Sequence, residues 1–373
     1  MPDHTFPTLP TAWYVDPGHF QREMERIWRT QWITVGRTGE WAGAGEFRVI
    51  PLAGQQIVVT RNRSGELRAF HNTCRHRGSL LCVESAGRFR GGRIVCPYHA
   101  WAYSLDGELL STPRRPDTPD FAPSEHGLYP VALRTWGGFV FLNLATEAPD
   151  FASCLGAEAE ALANWPLADM VIAHSEEHDL ACNWKVFWEN YSECYHCPGV
   201  HQDLCRLVPL YREGVASPED LPADHPLRGS EVRLADGRET WSQDGHTPLP
   251  DLPGLSRAEC EAGMTFADFL PGMFVIAHRD HARSVRITPL GPERTRLTVD
   301  WLLMPETLAA GVDLERLTGF ARQVVLEDAR VCEINQAGLR CMRHTEGVLM
   351  PLEREVKVFD DWVRERLNVT RDA

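Results

Sequence analysis

The spacing of apolar and polar positions divides the chain into a β-rich first part and a mixed second part. Over residues 12–35, Phe20, Met24, Ile27 and Trp28 recur at helical spacing and predict a helix. The pattern then changes. Phe47–Ile50, Ile57–Thr60, Leu67–Phe70 and Arg93–Val95 are short β-prone runs separated by Gly, Asn and Ser, as in a small antiparallel domain. Another strand-like run, Gly138–Leu144, precedes an alanine- and glutamate-rich helix around 150–165, and the domain boundary is placed there. Residues 206–262 are rich in Pro, Gly, Asp and Ser without a sustained period, so a long surface excursion over a pocket is expected. Strands resume at Met273–Ile276, Ser284–Ile287 and Arg296–Leu302, and helices over 312–340 and 352–367 close the chain. The expected class is α+β, with an antiparallel β domain over 40–145 and a second domain made of 1–39 and 146–373.

Composition narrows the function classes. At 373 residues, two domains are expected, and 43% hydrophobic residues suffice for substantial cores. A formal charge of −14 argues against nucleic acid and anionic membrane surfaces as partners. The first residues lack the basic and apolar regions of a signal peptide, and no apolar run reaches transmembrane length, so a cytoplasmic protein is expected. In that setting the eleven cysteines read as metal ligands and buried thiols rather than a disulfide framework.

The densest signal lies in two short segments, Cys74-Arg75-His76 and Cys96-Pro97-Tyr98-His99, each offering one thiolate and one imidazole. Tetrahedral zinc is one occupant for such a set. Zinc fingers, however, usually separate their Cys pair from their His pair. Here each half supplies one of each, as a Rieske [2Fe–2S] cluster requires, with thiolates on one iron and imidazoles on the other. Both cysteines follow predicted strands, which puts a cluster at the tip of a sheet with its histidines exposed. The wider stretch Cys74-Arg75-His76-Arg77-Gly78, then Cys96-Pro97-Tyr98-His99-Ala100-Trp101, then Tyr103-Ser104-Leu105-Asp106-Gly107, resembles the cluster domain of the Rieske non-haem iron oxygenases. The chain has Ser79 and Tyr98 where the respiratory quinol oxidases carry an extra disulfide.

A second candidate centre is Glu193-Cys194-Tyr195-His196-Cys197-Pro198-Gly199-Val200-His201. In a regular helix, imidazoles five positions apart point about 140° away from each other. Pro198 is expected to push Cys197 out of the helical region, and Gly199 to let the chain bend, so that His201 swings back toward His196. Two histidines with one carboxylate make the facial triad of non-haem Fe(II) enzymes. Cys194 and Cys197 also form a Cys-x-x-Cys, but a thiol redox pair lacks its usual β-α-β context here.

The family resemblance implies the rest. It places a helix-grip-like second domain around a mononuclear Fe(II) held by His196, His201 and Asp328. Asp328 shares a helical face with Val324, Val331 and Asn335, whereas Glu327 and Arg330 are expected to point elsewhere; Glu327 or Glu333 remain alternative ligands. The resemblance further implies a head-to-tail homotrimer in which His99 of one subunit passes an electron through Glu193 to His196 of the next. NAD(P)H acts indirectly, through a separate flavin- or ferredoxin-type reductase, since no dinucleotide fingerprint follows a strand. O2 and a small organic molecule are the substrates. Glu193 within Glu-x-Tyr-His-Cys-Pro looks like the members that oxidise carnitine, glycine betaine and related quaternary ammonium compounds; aromatic hydroxylation or O-demethylation is the alternative, and a Rieske-type electron carrier is the reading from another class. Aromatic candidates for a cation-binding pocket are Trp184, Phe187, Trp188, Tyr191, Phe266, Phe269 and Phe274.

Overall fold

The computed structural model describes residues 4–116, 118–230 and 232–368. They form two compact units, one running from Trp28 to Cys154 and the other combining the residues up to Ile27 with those from Leu155 onward.

The first unit is built from three small antiparallel sheets. One orders Leu67–His71, Gln55–Arg61, Glu46–Leu52 and Ala86–Arg88; a second orders Arg93–Val95, Ala102–Ser104 and Leu109–Ser111. The third, Ala132–Trp136, Phe139–Asn143 and Ile33–Arg37, corrects the expected helix over 12–35. That helix ends in a π-turn at Met24–Trp28, and the β-branched residues Ile33, Thr34 and Val35 then extend to pair with the fully buried strand Phe139–Asn143. This pairing places Ile33–Arg37 within the first unit, whose contacts run from Trp28 to Cys154.

The second unit is a five-stranded antiparallel sheet in the order Val171–Leu180, Arg294–Leu303, Ala282–Gly291, Met273–His278, Met264–Phe269. The strand Met273–His278 is buried on both faces and reads as a near-continuous apolar run, whereas Arg294–Leu303 alternates apolar with polar residues until its end at Trp301-Leu302-Leu303. Two of its helices carry the site. Helix α1, Trp184–Tyr191, starts at Asn183, whose side chain accepts from the Lys185 N–H at 3.0 Å, and it buries five consecutive residues, Trp184 to Trp188. Helix α2, Leu314–Leu339, is capped by Asp313 and buries the stripe Leu317, Phe320, Ala321, Val324, Val325 and Cys332. Helix α3, Arg354–Arg366, closes the chain. Between sheet strands, residues 206–262 pass through short helical turns. Among the described residues no helix is long and apolar enough to cross a membrane.

Candidate metal centres

Cys74 and Cys96 occupy two loops of matching geometry. In each, the cysteine N–H donates to the carbonyl five residues on, Ser79 or Trp101, and the cysteine carbonyl accepts from the N–H four residues on, Gly78 or Ala100. Gly78 and Ala100 both have positive φ, 78° and 56°. The loop therefore needs a left-handed residue at this point, and Gly78 supplies one without strain. Both thiols are buried, at 4% and 2% exposure, and adjacent; burial pushes Cys74 up and Cys96 adds to it. His76 and His99 are exposed, with their Nδ1 atoms 3.2 Å apart. Trp101 stacks on the His76 ring at 4.8 Å between centroids. Partial desolvation of the ring, with the neighbouring His99 and Arg77, lowers the His76 pKa and favours the neutral imidazole that a metal needs. Tyr103 Oη, 3.2 Å from Cys74 Sγ, accepts the Arg75 N–H. Two adjacent free thiols and two converging imidazole nitrogens fit a [2Fe–2S] cluster of the Rieske type.

In the second unit, one donor atom each from His196, His201 and Asp328 lies within 4.8 Å of the others. The two Nε2 atoms are 3.2 Å apart, and Asp328 Oδ1 stands 2.9 Å from that of His201 and 3.4 Å from that of His196. The break that lets the imidazoles converge is not where Pro198 suggested. Cys197–Val200 is a helical turn with the proline in its first positions, where a missing N–H costs nothing, and the deviation falls at His201 itself (φ −108°, ψ 66°). Cys194 and Cys197 are joined by a disulfide across the His196 turn, a pairing the sequence reading had set aside.

The outward nitrogens are also held. Glu193 Oε1 pairs with His196 Nδ1 at 2.6 Å, and Glu327 Oε2 with His201 Nδ1 at 2.7 Å. Glu327 thus reaches the centre that it was expected to point away from, while Glu333 accepts from the Ala181 N–H instead. Asn190 Nδ2 donates to Asp328 Oδ1 at 2.7 Å. Burial opposes charge on His196, but Asp328 and Glu193 outweigh it and raise the pKa to about 9; the two imidazoles hold Asp328 down to about 2 against its own burial. Three carboxylates converging on two imidazoles suit a divalent cation, and the donor set fits a mononuclear iron.

This centre opens on a cavity of about 420 Å³. Phe187, Trp188, Tyr191, Phe266 and Phe274 line it as expected; Trp184 and Phe269 do not. Trp184 is instead fully buried and donates its indole N–H to Glu23. The excursion adds Tyr211, Ala216, Val232 and Trp241, and the sheet adds Arg283, none of which had a local sequence signal.

Residues 167–369 match the family described as the ring hydroxylating alpha subunit catalytic domain, and residues 31–122 match the Rieske [2Fe-2S] domain. The chain is 32% identical over 402 residues to the glycine betaine monooxygenase oxygenase subunit of Chromohalobacter salexigens, covering 100% of this chain and 87% of that one. It is 27% identical to the chloroplastic choline monooxygenase of Beta vulgaris, covering 96% and 77%. The solved quaternary ammonium Rieske monooxygenase CntA in complex with gamma-butyrobetaine shares the fold, with a TM-score of 0.72, 23% identity and coverage of 98% and 96%.

Proposed function

Because the chain belongs to the Rieske non-haem iron oxygenase alpha subunits, which carry a [2Fe–2S] cluster and a mononuclear iron, we propose that it oxidises an N-methyl group of a small quaternary ammonium compound. The observation that carries this is the metal triad opening directly onto an aromatic-walled cavity, since ring faces attract quaternary ammonium. The activities of the glycine betaine and choline relatives support it.

Cys74, His76, Cys96 and His99 would hold the cluster, and His196, His201 and Asp328 would hold the iron. When bound, the cluster supplies single electrons and the iron supplies activation of O2. Glu193 and Glu327 accept the Nδ1 protons of the two imidazoles, which leaves each Nε2 lone pair facing inward. His99 is exposed and would face Glu193 and His196 of the next subunit in a head-to-tail trimer, with Glu193 bridging the two centres, and a separate reductase would supply electrons from NAD(P)H. One oxygen atom of O2 converts C–H to C–OH, and the other leaves as water after taking up two electrons and two protons. The hydroxymethyl group then breaks from nitrogen, which keeps the electron pair, and departs as formaldehyde with loss of a proton. Aromatic and aliphatic side chains make up most of the lining of this cavity.

A single turnover tests the reading. Reduced, iron-replete protein is mixed with O2 and a panel of betaines, carnitine, choline and aromatic acids, and the products are analysed by mass spectrometry. Formaldehyde with a demethylated amine is expected. A hydroxylated aromatic product, or no product from a fully oxidisable cluster, refutes it.

A further inference from the structure

Arg283 is the one feature of this cavity that a purely cationic substrate leaves unexplained. It lies in the strand Ala282–Gly291, opposite Ile276 on one neighbouring strand and Trp301 on the other, and is 2% exposed. Arg283 is among the residues that line the cavity, as is Trp241 beside its guanidinium. Its hydrogen-bond acceptor is the Ala321 carbonyl, at a long 3.5 Å, and its Nε has none. Trp241 lies 5.2 Å from Cζ and fixes the guanidinium against one wall. Asp328 and Tyr191 are near enough to act on its charge but make no ion pair or hydrogen bond with it. Burial lowers the Arg283 pKa only to about 10, so the group is cationic at neutral pH.

Buried charges are ordinarily paired, because an ion taken out of water needs a counter-ion or several hydrogen bonds. Arg286, half-buried on the opposite face of this strand, follows that rule and meets Asp300 at 3.3 Å. A guanidinium has five donors in a planar fork that matches a carboxylate edge to edge. Close by, Tyr191 and Phe274 stack at 3.9 Å between centroids and present ring surface to the same cavity. A guanidinium and a pair of aromatic faces together match a ligand with an anionic end and a methylated cationic end.

We infer that Arg283 anchors a substrate carboxylate, so that the substrate is a zwitterion joining a carboxylate to an N-methylated ammonium, and an amino alcohol such as choline is excluded. This deepens the quaternary-ammonium reading and rests on it. The anchor orients the molecule, leaving its N-methyl end for the metal centre.

Glycine betaine and choline are matched probes, since they share the trimethylammonium and differ in carboxylate against hydroxymethyl. Isothermal titration of the cluster- and iron-loaded protein should give betaine at least about 100-fold tighter binding than choline, the scale of two charge-assisted hydrogen bonds. Arg283→Gln should remove that preference by weakening betaine while leaving choline unchanged, and Arg283→Lys should restore part of it. The wild-type ratio decides the matter even where the glutamine variant fails to fold. Equal affinities for the two probes, or equal losses in Arg283→Gln, overturn the anchor. If benzoate binds in place of both probes and is lost in Arg283→Gln, the carboxylate anchor stands and the ammonium half fails.

Discussion

Truncating Glu327 to alanine should release iron without unfolding the protein. Glu327 neighbours Asp328 on α2, yet its Oε2 takes the Nδ1 side of His201 at 2.7 Å while its Oε1 accepts from Gln323 at 2.9 Å. His201 is 2% exposed, so no water replaces that bond cheaply. A carboxylate behind a ligating imidazole fixes its tautomer and raises its basicity, and losing one costs about 10–100-fold in metal affinity. The Glu327 side chain is 29% exposed, and solvent screening places the effect in the lower half of that range. The expected loss is therefore about 10–30-fold, or roughly 1.4–2 kcal/mol. Glu327→Gln keeps an oxygen acceptor and should lose only a few-fold. The assay is competition for Fe(II) against a chromogenic chelator on cluster-loaded protein, with thermal unfolding as the control. Iron held by Glu327→Ala as tightly as by wild type would refute the reasoning, as would a greater loss in the glutamine variant than in alanine.

Glu193→Gln should slow reoxidation of the reduced cluster by O2 and substrate at least about 10-fold in stopped flow, beyond its smaller effect on iron affinity, because it weakens the contact to His196. An unchanged rate removes Glu193 from the electron route. Tyr103→Phe removes a donor 3.2 Å from Cys74 Sγ and should lower the cluster potential in a redox titration, since hydrogen bonds to sulfur favour the reduced form; a rise would contradict the assignment. Burial, reinforced by Asp361, raises the buried carboxyl Asp360 to about 7 from an ordinary aspartate value of about 4. Its folded pKa exceeds its unfolded one, so the protonated form is favoured in the fold, and stability falls as pH climbs from about 4 through 7 before levelling off. Asp360→Asn should therefore gain about 2–4 kcal/mol over wild type in urea melts at pH 8 and much less at pH 4; equal gains at both values would refute the titration.

Strands were legible where one side of the pattern was apolar, as in the hairpins of the first unit and the buried runs Met273–His278 and Arg294–Leu303. Val171–Leu180 was not, because it is an edge strand carrying His174, Glu176, Glu177, His178 and Asp179. Its order comes from pairing with Arg294–Leu303 and from bonds such as Arg296 to Asp179 and Arg322 to Glu176, all of them distant in sequence. The helix expected through residue 35 failed for a related reason. Nothing between Trp28 and Ile33 announces a stop, and the partner strand that claims Ile33–Arg37 lies about a hundred residues on.

At the two centres, legibility follows how far each ligand's partners lie along the chain. Each cluster loop closes on itself within five residues, so its cysteine, its histidine and its left-handed residue are all local and visible. His196 and His201 were visible for the same reason, although the turn that joins them runs through His201 and not Pro198. Asp328 needed the family pattern, and Glu327 was misplaced because a helical wheel positions a Cβ, whereas a glutamate can reach a neighbouring ring from one position away. Arg283 was hidden altogether. Arg279, Arg283 and Arg286 are alike in sequence, and what separates them is their partners: Asp251 for Arg279 and Asp300 for Arg286, with none for Arg283 among the described residues beyond one distant carbonyl. That missing counter-ion becomes visible only once the sheet is folded, and under the proposed anchor it would select the substrate's charge where the aromatic wall would select only its methyl groups.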